Sequence, residues 1–174
     1  MYLFIDTATR YGAVGLWRTE DSTFVRVGAW WSRHNHTAEL MPAIEAAMAG
    51  AGIAPSALRG LGVITGPGGF SALRAGMGVA KGLAFALSIP LVGVSALEAT
   101  AYAHKDAGWP VCAVMEAGWD AVAWARFQQT PEGWRRRTLD RVTPLDGLLA
   151  VRGRHTLFCG EGIGVRAEQL REAL

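Results

Sequence analysis

The residues with the greatest capacity for chemistry fall in two short stretches. Asp6 and Thr7 close the first apolar run, and Gly66-Pro67-Gly68-Gly69 precedes an apolar helical segment that carries Arg74 in its first turn. A carboxylate at the end of a central strand is a position that sheet enzymes use, although a lone aspartate there more often shapes a turn. Glycines between a strand and a helix let backbone N–H groups approach an anion at the helix N-terminus. Arg74 would add a charge-assisted contact to such an anion. The same glycines also serve a tight turn that packs helix closely on strand, and spacing alone favours that commoner role. Asp6, Thr7, Gly66, Gly68, Gly69 and Arg74 are therefore the candidate phosphate-binding residues.

Other chemistries lack their parts. No Gly-x-x-x-x-Gly-Lys-Ser/Thr string occurs, and Gly76-Met77-Gly78-Val79-Ala80 sits inside a helical pattern, where a dinucleotide fingerprint does not belong. His34 and His36 are two apart, whereas metal ligands on one helical face need a spacing of four, and His104 and His155 stand alone. There is no Gly-x-Ser-x-Gly nucleophile elbow. No catalytic residue and no metal ligand are expected.

The elements that hold these residues follow from periodicity. Tyr2–Ile5, Ala13–Trp17 and Phe24–Trp31 read as three strands joined by short polar turns, an antiparallel meander. Leu40, Ile44, Ala47 and Met48 recur at helical spacing within Thr37–Ala51, which Gly50 and Gly52 close. Leu61–Ile64 is a strand running into the glycine loop. A helix then runs from a Ser71 cap to about Leu87, and Pro90 stops it. Leu91–Val94 is a strand, and Ser95 with Glu98 forms a capping box for a helix to about Lys105. The order βββαβαβα implies parallel strands added to the meander, a mixed sheet covered by helices.

After Trp109-Pro110 the pattern restarts. Strands are expected over Val111–Met115, Ala121–Gln128, Trp134–Leu139 and Thr156–Cys159. Thr143-Pro144 reads as a helix entry and Val165–Leu174 as a closing helix. This gives a first lobe over residues 1–108 and a thinner second lobe over 109–174.

Glycine in a helix interior costs about 1 kcal/mol relative to alanine. The helix from Ser71 nevertheless carries Gly76, Gly78 and Gly82 alongside Ala72, Ala75 and Val79. Its surface is smooth, suited to close approach by its own sheet or, if turned outward, by a partner helix.

Composition narrows the classes. Of 174 residues, 51% are hydrophobic and 18% charged, which excludes a disordered chain. A net charge of +2 does not by itself mark a nucleic-acid binder. The one basic run, Arg135-Arg136-Arg137, reads first as a solvated strand edge. Cys112 and Cys159 sit in apolar runs and read as buried reduced thiols. No apolar stretch reaches the roughly 20 residues of a bilayer span, so no membrane role and a cytoplasmic location are expected.

The string Ile64-Thr-Gly-Pro-Gly-Gly-Phe-Ser-Ala-Leu-Arg74, continuing through Ala75-Gly-Met-Gly-Val-Ala-Lys-Gly-Leu-Ala84 to Ile89-Pro-Leu-Val-Gly-Val-Ser95, resembles the signature of the bacterial TsaB (YeaZ) family. Asp6-Thr-Ala-Thr9 is similar to that family's opening motif. His36, Glu39, Leu40, Pro42 and Ile44 resemble its first helix, and Ala121–Phe127 one of its second-lobe strands. The chain departs from the signature at Gly69, Ser71 and Ala72, and has Glu116-Ala117-Gly118 where the family has Asp-Ala-Arg. It also lacks the family's terminal Tyr-Leu-Arg segment, so an abbreviated second lobe is expected.

The resemblance implies an actin/Hsp70/sugar-kinase-like (RNase H-like) fold of two lobes. It implies a pseudoenzyme: a non-catalytic subunit that activates a TsaD-like catalytic subunit for threonylcarbamoyl transfer to the adenosine beside the anticodon of tRNA. Pairing with that subunit, and homodimerisation through the same surface, would use the helices over Thr37–Ala51 and Ser71–Leu87. The interface residues expected there are His36, Leu40, Ile44, Ala72, Ala75, Gly76, Val79 and Gly82. A TsaE-like ATPase would join the pair, with tRNA reached through the complex. No firmly bound cofactor is expected, and ATP with Mg²⁺ only in the assembled complex. The alternative is a small ATP-dependent, kinase-like enzyme of the same fold that uses Asp6, Thr7 and Gly66–Gly69 around nucleotide phosphates.

Overall fold

The structure is a computed structural model, and it describes residues 1–33, 35–118, 120–149, 155–164 and 167–168. His34 and nearly all of the closing helix read over Val165–Leu174 lie outside the described residues. The chain divides into two compact units, Met1–Val94 and Ser95–Leu174.

The first unit is built on the sheet β3-β2-β1-β4-β5. Its strands are β1 (Tyr2–Asp6), β2 (Tyr11–Arg18), β3 (Thr23–Trp31), β4 (Gly60–Gly66) and β5 (Leu91–Ser95). β1 pairs antiparallel with β2 and β2 with β3, whereas β4 lies parallel to β1, with Leu3 opposite Leu61 and Ile5 opposite Val63. The expected mixed sheet is present, in the order of an RNase H-like lobe. Alternation along β1 sends Leu3 and Ile5 to one face. There they join Val14, Leu16, Leu61 and Val63 under two helices, α1 (His36–Gly50) and α2 (Phe70–Leu87). On the opposite face the Phe4 ring lies where a Cβ on Gly62 would stand, at 2.5 Å, so β4 needs glycine there to let the ring lie flat.

The second unit has the sheet β10-β6-β7-β8, with β9 also paired to β7. Its strands are β6 (Val111–Glu116), β7 (Ala121–Thr130), β8 (Gly133–Arg136), β9 (Arg141–Pro144) and β10 (Leu157–Cys159). Cys112, Val114, Val122 and Trp124 face one side, where Leu148 of the short helix α4 (Leu145–Leu149) packs on them. The Trp124 indole N–H donates to the Thr143 hydroxyl at 3.0 Å. Thr143 lies inside β9, which ends at Pro144, and the helix expected to open at Thr143-Pro144 begins only at Leu145. A further short helix, α5, spans Glu161–Gly164.

Helix α3 (Ala96–Tyr102) opens as the capping box predicts, with the Ser95 hydroxyl accepting the Glu98 N–H at 3.4 Å. The sequence pattern groups this helix with the first lobe, up to residue 108. In the structure it belongs to the second unit, where the Tyr102 ring meets Trp134 edge-on and the Thr100 carbonyl lies 3.9 Å from the Cys159 sulfur. Alternation of strand and helix does not reveal which sheet a connecting helix will cover.

Candidate functional site

The ends of β1 and β4 meet in a compact polar turn. Asp6 accepts the Ala8 N–H at 2.8 Å, closing a local turn of the kind aspartate favours. Burial pushes its carboxyl above the ordinary 3.8, opposed by the Ala8 N–H and by the nearby His36. Thr7 is fully buried, and its hydroxyl donates to the Ala72 carbonyl at 2.7 Å, tying β1 to the first turn of α2. The glycine loop folds down on the same turn. The Gly69 N–H donates to the Ala8 carbonyl at 2.9 Å, and a Cβ on Gly68 would stand 2.3 Å from that oxygen. Gly66 has φ +113°, a conformation that glycine adopts freely.

These bonds account for much of the polar capacity expected to hold a phosphate. The Thr7 hydroxyl proton and the Gly69 N–H are already committed within the fold, and Asp6 would repel an anion. Arg74 is exposed, with its guanidinium 5.3 Å from the Phe70 ring centroid. The loop's visible role is the tight turn. The cap expected at Ser71 lies instead at Gly69, which offers no side-chain bond.

His36 opens α1 and is only 6% exposed. Its Nε2 donates to the Thr9 carbonyl at 3.0 Å, while Nδ1 is buried without a hydrogen-bond partner. Glu39, in the first turn, accepts the Trp30 indole N–H at 3.0 Å and so ties α1 to β3. Among the described residues, no three His, Cys, Asp or Glu side chains gather to hold a metal. Cys112 and Cys159 are both buried and unpaired, with thiols pushed up by burial to about 12 and about 11, so neither is a ready nucleophile.

The other notable feature is α2 itself. Of its 18 residues only Gly76, Ala80 and Ala84 are fully buried. Phe70 and Phe85, near its two ends, are 73% and 88% exposed. Between them Gly78 and Gly82 are open to solvent, with nothing within 4 Å of a Cβ built on either. By length and composition α2 would serve as a membrane span, the one such helix among the described residues, yet its buried positions pack on the sheet.

A model of the family described as TsaD, tRNA N6-adenosine threonylcarbamoyltransferase, matches residues 31–159. The tRNA threonylcarbamoyladenosine biosynthesis protein TsaB of Escherichia coli is 32% identical over 143 residues, 80% of this chain and 61% of that protein. The TsaB of Bacillus subtilis is 25% identical over 180 residues, 99% of this chain and 76% of its own length. The solved structure of YeaZ from Pseudomonas aeruginosa superposes with a TM-score of 0.83 at 27% identity, over 97% of this chain and 78% of that one. The chain belongs to the TsaB (YeaZ) family. It spans 61% of the length of the Escherichia coli TsaB.

Within this TsaB-family lobe the residues expected at a partner interface divide. His36, Leu40 and Ile44 point into the core, and Gly76 is buried beneath α2. None of these can meet a partner without opening the lobe. Ala72, Ala75 and Val79 are half-buried, and only Gly82 stands fully in the open. The outward side of α1 is formed by Ala38, Met41, Pro42, Glu45 and Ala49 instead. These follow the same helical period as the buried stripe, turned to the opposite side.

Proposed function

We propose that this chain is a non-catalytic subunit that pairs with a TsaD-like catalytic subunit in forming threonylcarbamoyladenosine on tRNA. The observation that carries this reading is the exposed stripe of α2, Gly78 and Gly82 between Phe70 and Phe85. Exposed glycines in a helix weaken it, so their presence fits a surface that another backbone approaches closely. Large exposed apolar side chains flanking such a stripe are also usual at interfaces. The outward side of α1 also exposes apolar residues, Met41, Pro42 and Ala49.

Activation of the partner would be allosteric, through a coupling that need be only about 1–3 kcal/mol. A homodimer through this face would compete with the mixed pair. A TsaE-like ATPase, tRNA and ATP with Mg²⁺ would be met in the assembled complex, in the cytoplasm. The kinase-like alternative finds less support, because Thr7 and Gly69 spend their donors inside the fold.

The test is Gly78→Arg. A side chain there enters open space, so the lobe should fold as before while co-purification with the organism's own TsaD-like subunit is lost. Undiminished co-purification of the folded variant rules the α2 stripe out as the docking face. Calorimetric titration of the isolated chain with Mg-ATP gives an independent check, since micromolar binding would favour the enzyme.

A further inference from the structure

The basic run on β8 resolves into two different things. Arg136 lies opposite Phe127 in the β7–β8 register, and its guanidinium sits 4.9 Å from the centroid of that ring. It is also ion-paired with Glu98, at 3.5 Å, and with Asp140. Its charge is spent within the unit. Arg135 and Arg137 flank it in sequence, so pleating turns them to the opposite face.

That face gathers further positive charge. Arg135 is registered with Gln128, and the ladder continues one residue past β8, where the Arg137 N–H donates to the Arg126 carbonyl at 2.7 Å. Directly opposed residues share a face with Cβ atoms about 5 Å apart, which places Arg126 beside Arg137. Arg141 joins them from β9, registered with Trp124 and lying 5.6 Å from its ring centroid. Arg135, Arg137 and Arg141 are exposed and Arg126 half-buried, and none of the four is ion-paired among the described residues. At the same end of the sheet Arg126 reaches the Thr156 hydroxyl at 3.4 Å, and the neighbouring His155 ring packs edge-on at 4.6 Å against Trp109, itself 47% exposed.

We propose that this face, Arg126, Arg135, Arg137 and Arg141, is a contact surface for the phosphate backbone of RNA. Four guanidiniums on one sheet surface, none of them ion-paired among the described residues, match closely spaced phosphates. The choice of RNA over another polyanion rests on the proposed function in tRNA modification. The surface belongs wholly to the second unit, whereas α1 and α2 belong to the first.

The experiment is fluorescence anisotropy of the full chain with end-labelled tRNA over a salt series. Arg135→Glu combined with Arg137→Glu should weaken binding about tenfold or more at about 50 mM salt and lower the slope of log K against log salt by about two. Arg18→Glu combined with Arg59→Glu, an equal charge change on the first unit, should change it little. A milder pair, Arg135→Gln with Arg137→Gln, keeps the test valid if charge reversal disturbs folding. The proposal is overturned if wild-type chain does not bind tRNA, if both reversed pairs weaken it equally, or if only adhesion to phosphatidylserine vesicles is lost. Co-purification with the TsaD-like subunit should survive the Arg135 and Arg137 changes. Wild-type chain that pairs with the TsaD-like subunit but does not bind tRNA therefore sinks this surface and leaves the docking reading standing.

Discussion

Gly76 and Gly78 are two residues apart on one helix and are held there by opposite forces. Under α2, the space that a side chain on Gly76 would need is taken, since a Cβ would stand 2.3 Å from the Thr7 hydroxyl oxygen. On the outer side, Gly78 and Gly82 have empty space around them. The inner glycine is explained by the monomer's own packing. Among the described residues nothing explains the outer pair, which only lowers helix propensity. Glycine kept where its own fold does not require it is what the proposed docking face would account for.

The largest effect expected is at the inner position. Gly76→Ala gains about 1 kcal/mol of helix propensity. Against this, overpacking costs about 1–3 kcal/mol, and displacing Thr7 endangers a buried hydrogen bond worth about 1 kcal/mol or more. A net loss of about 2 kcal/mol should appear in urea unfolding. The decisive comparison is in a Thr7→Ala background. There the nearest remaining side-chain atom, the Cβ at position 7, is 3.4 Å away, and Gly76→Ala should become neutral or mildly stabilising. If the cost persists without the hydroxyl, the inner glycine is not explained by Thr7.

The outer pair should give the opposite sign. Gly78→Ala and Gly82→Ala are each expected to stabilise the monomer by about 1 kcal/mol, read from the urea midpoint, while weakening capture by the TsaD-like subunit. Stabilisation with undiminished pairing would leave the outer glycines without a partner to explain them.

The sequence makes the helices legible but not the direction in which they face. His36, Leu40, Ile44 and Met48 lie four apart, and that spacing correctly marks one side of α1 as coherent. Periodicity is the same for a stripe turned to the core and one turned to a partner, and here the coherent stripe is the buried one. The meander, the parallel β4 and the Ser95 capping box could be read because each rests on local alternation or a local hydrogen bond. Thr7 could not. Its role depends on the carbonyl of Ala72, 65 residues away, which no local pattern encodes. Likewise the Arg135–Arg137 run reads as uniform, and only the register with β7 separates the ion-paired middle residue from its two neighbours, which have no ion pair among the described residues.

The smallest effect probes the turn beneath the inner glycine. Burial raises the Asp6 carboxyl above its ordinary 3.8, with the Ala8 N–H and His36 pulling the other way. A carboxyl whose pKa is higher folded than unfolded binds its proton better in the folded state. Its contribution to stability is therefore fullest below 3.8 and is lost as pH rises through the raised folded value. Asp6→Asn keeps an oxygen to accept the Ala8 N–H and removes only the charge. The variant should be slightly more stable than the parent at neutral pH, with the difference closing as the pH is brought below 3.8. Urea midpoints across that range measure it. A parent more stable at neutral pH would mean that the attraction of His36 outweighs burial, and the turn anchoring Thr7 would then be held by an ion pair in place of the Ala8 hydrogen bond alone.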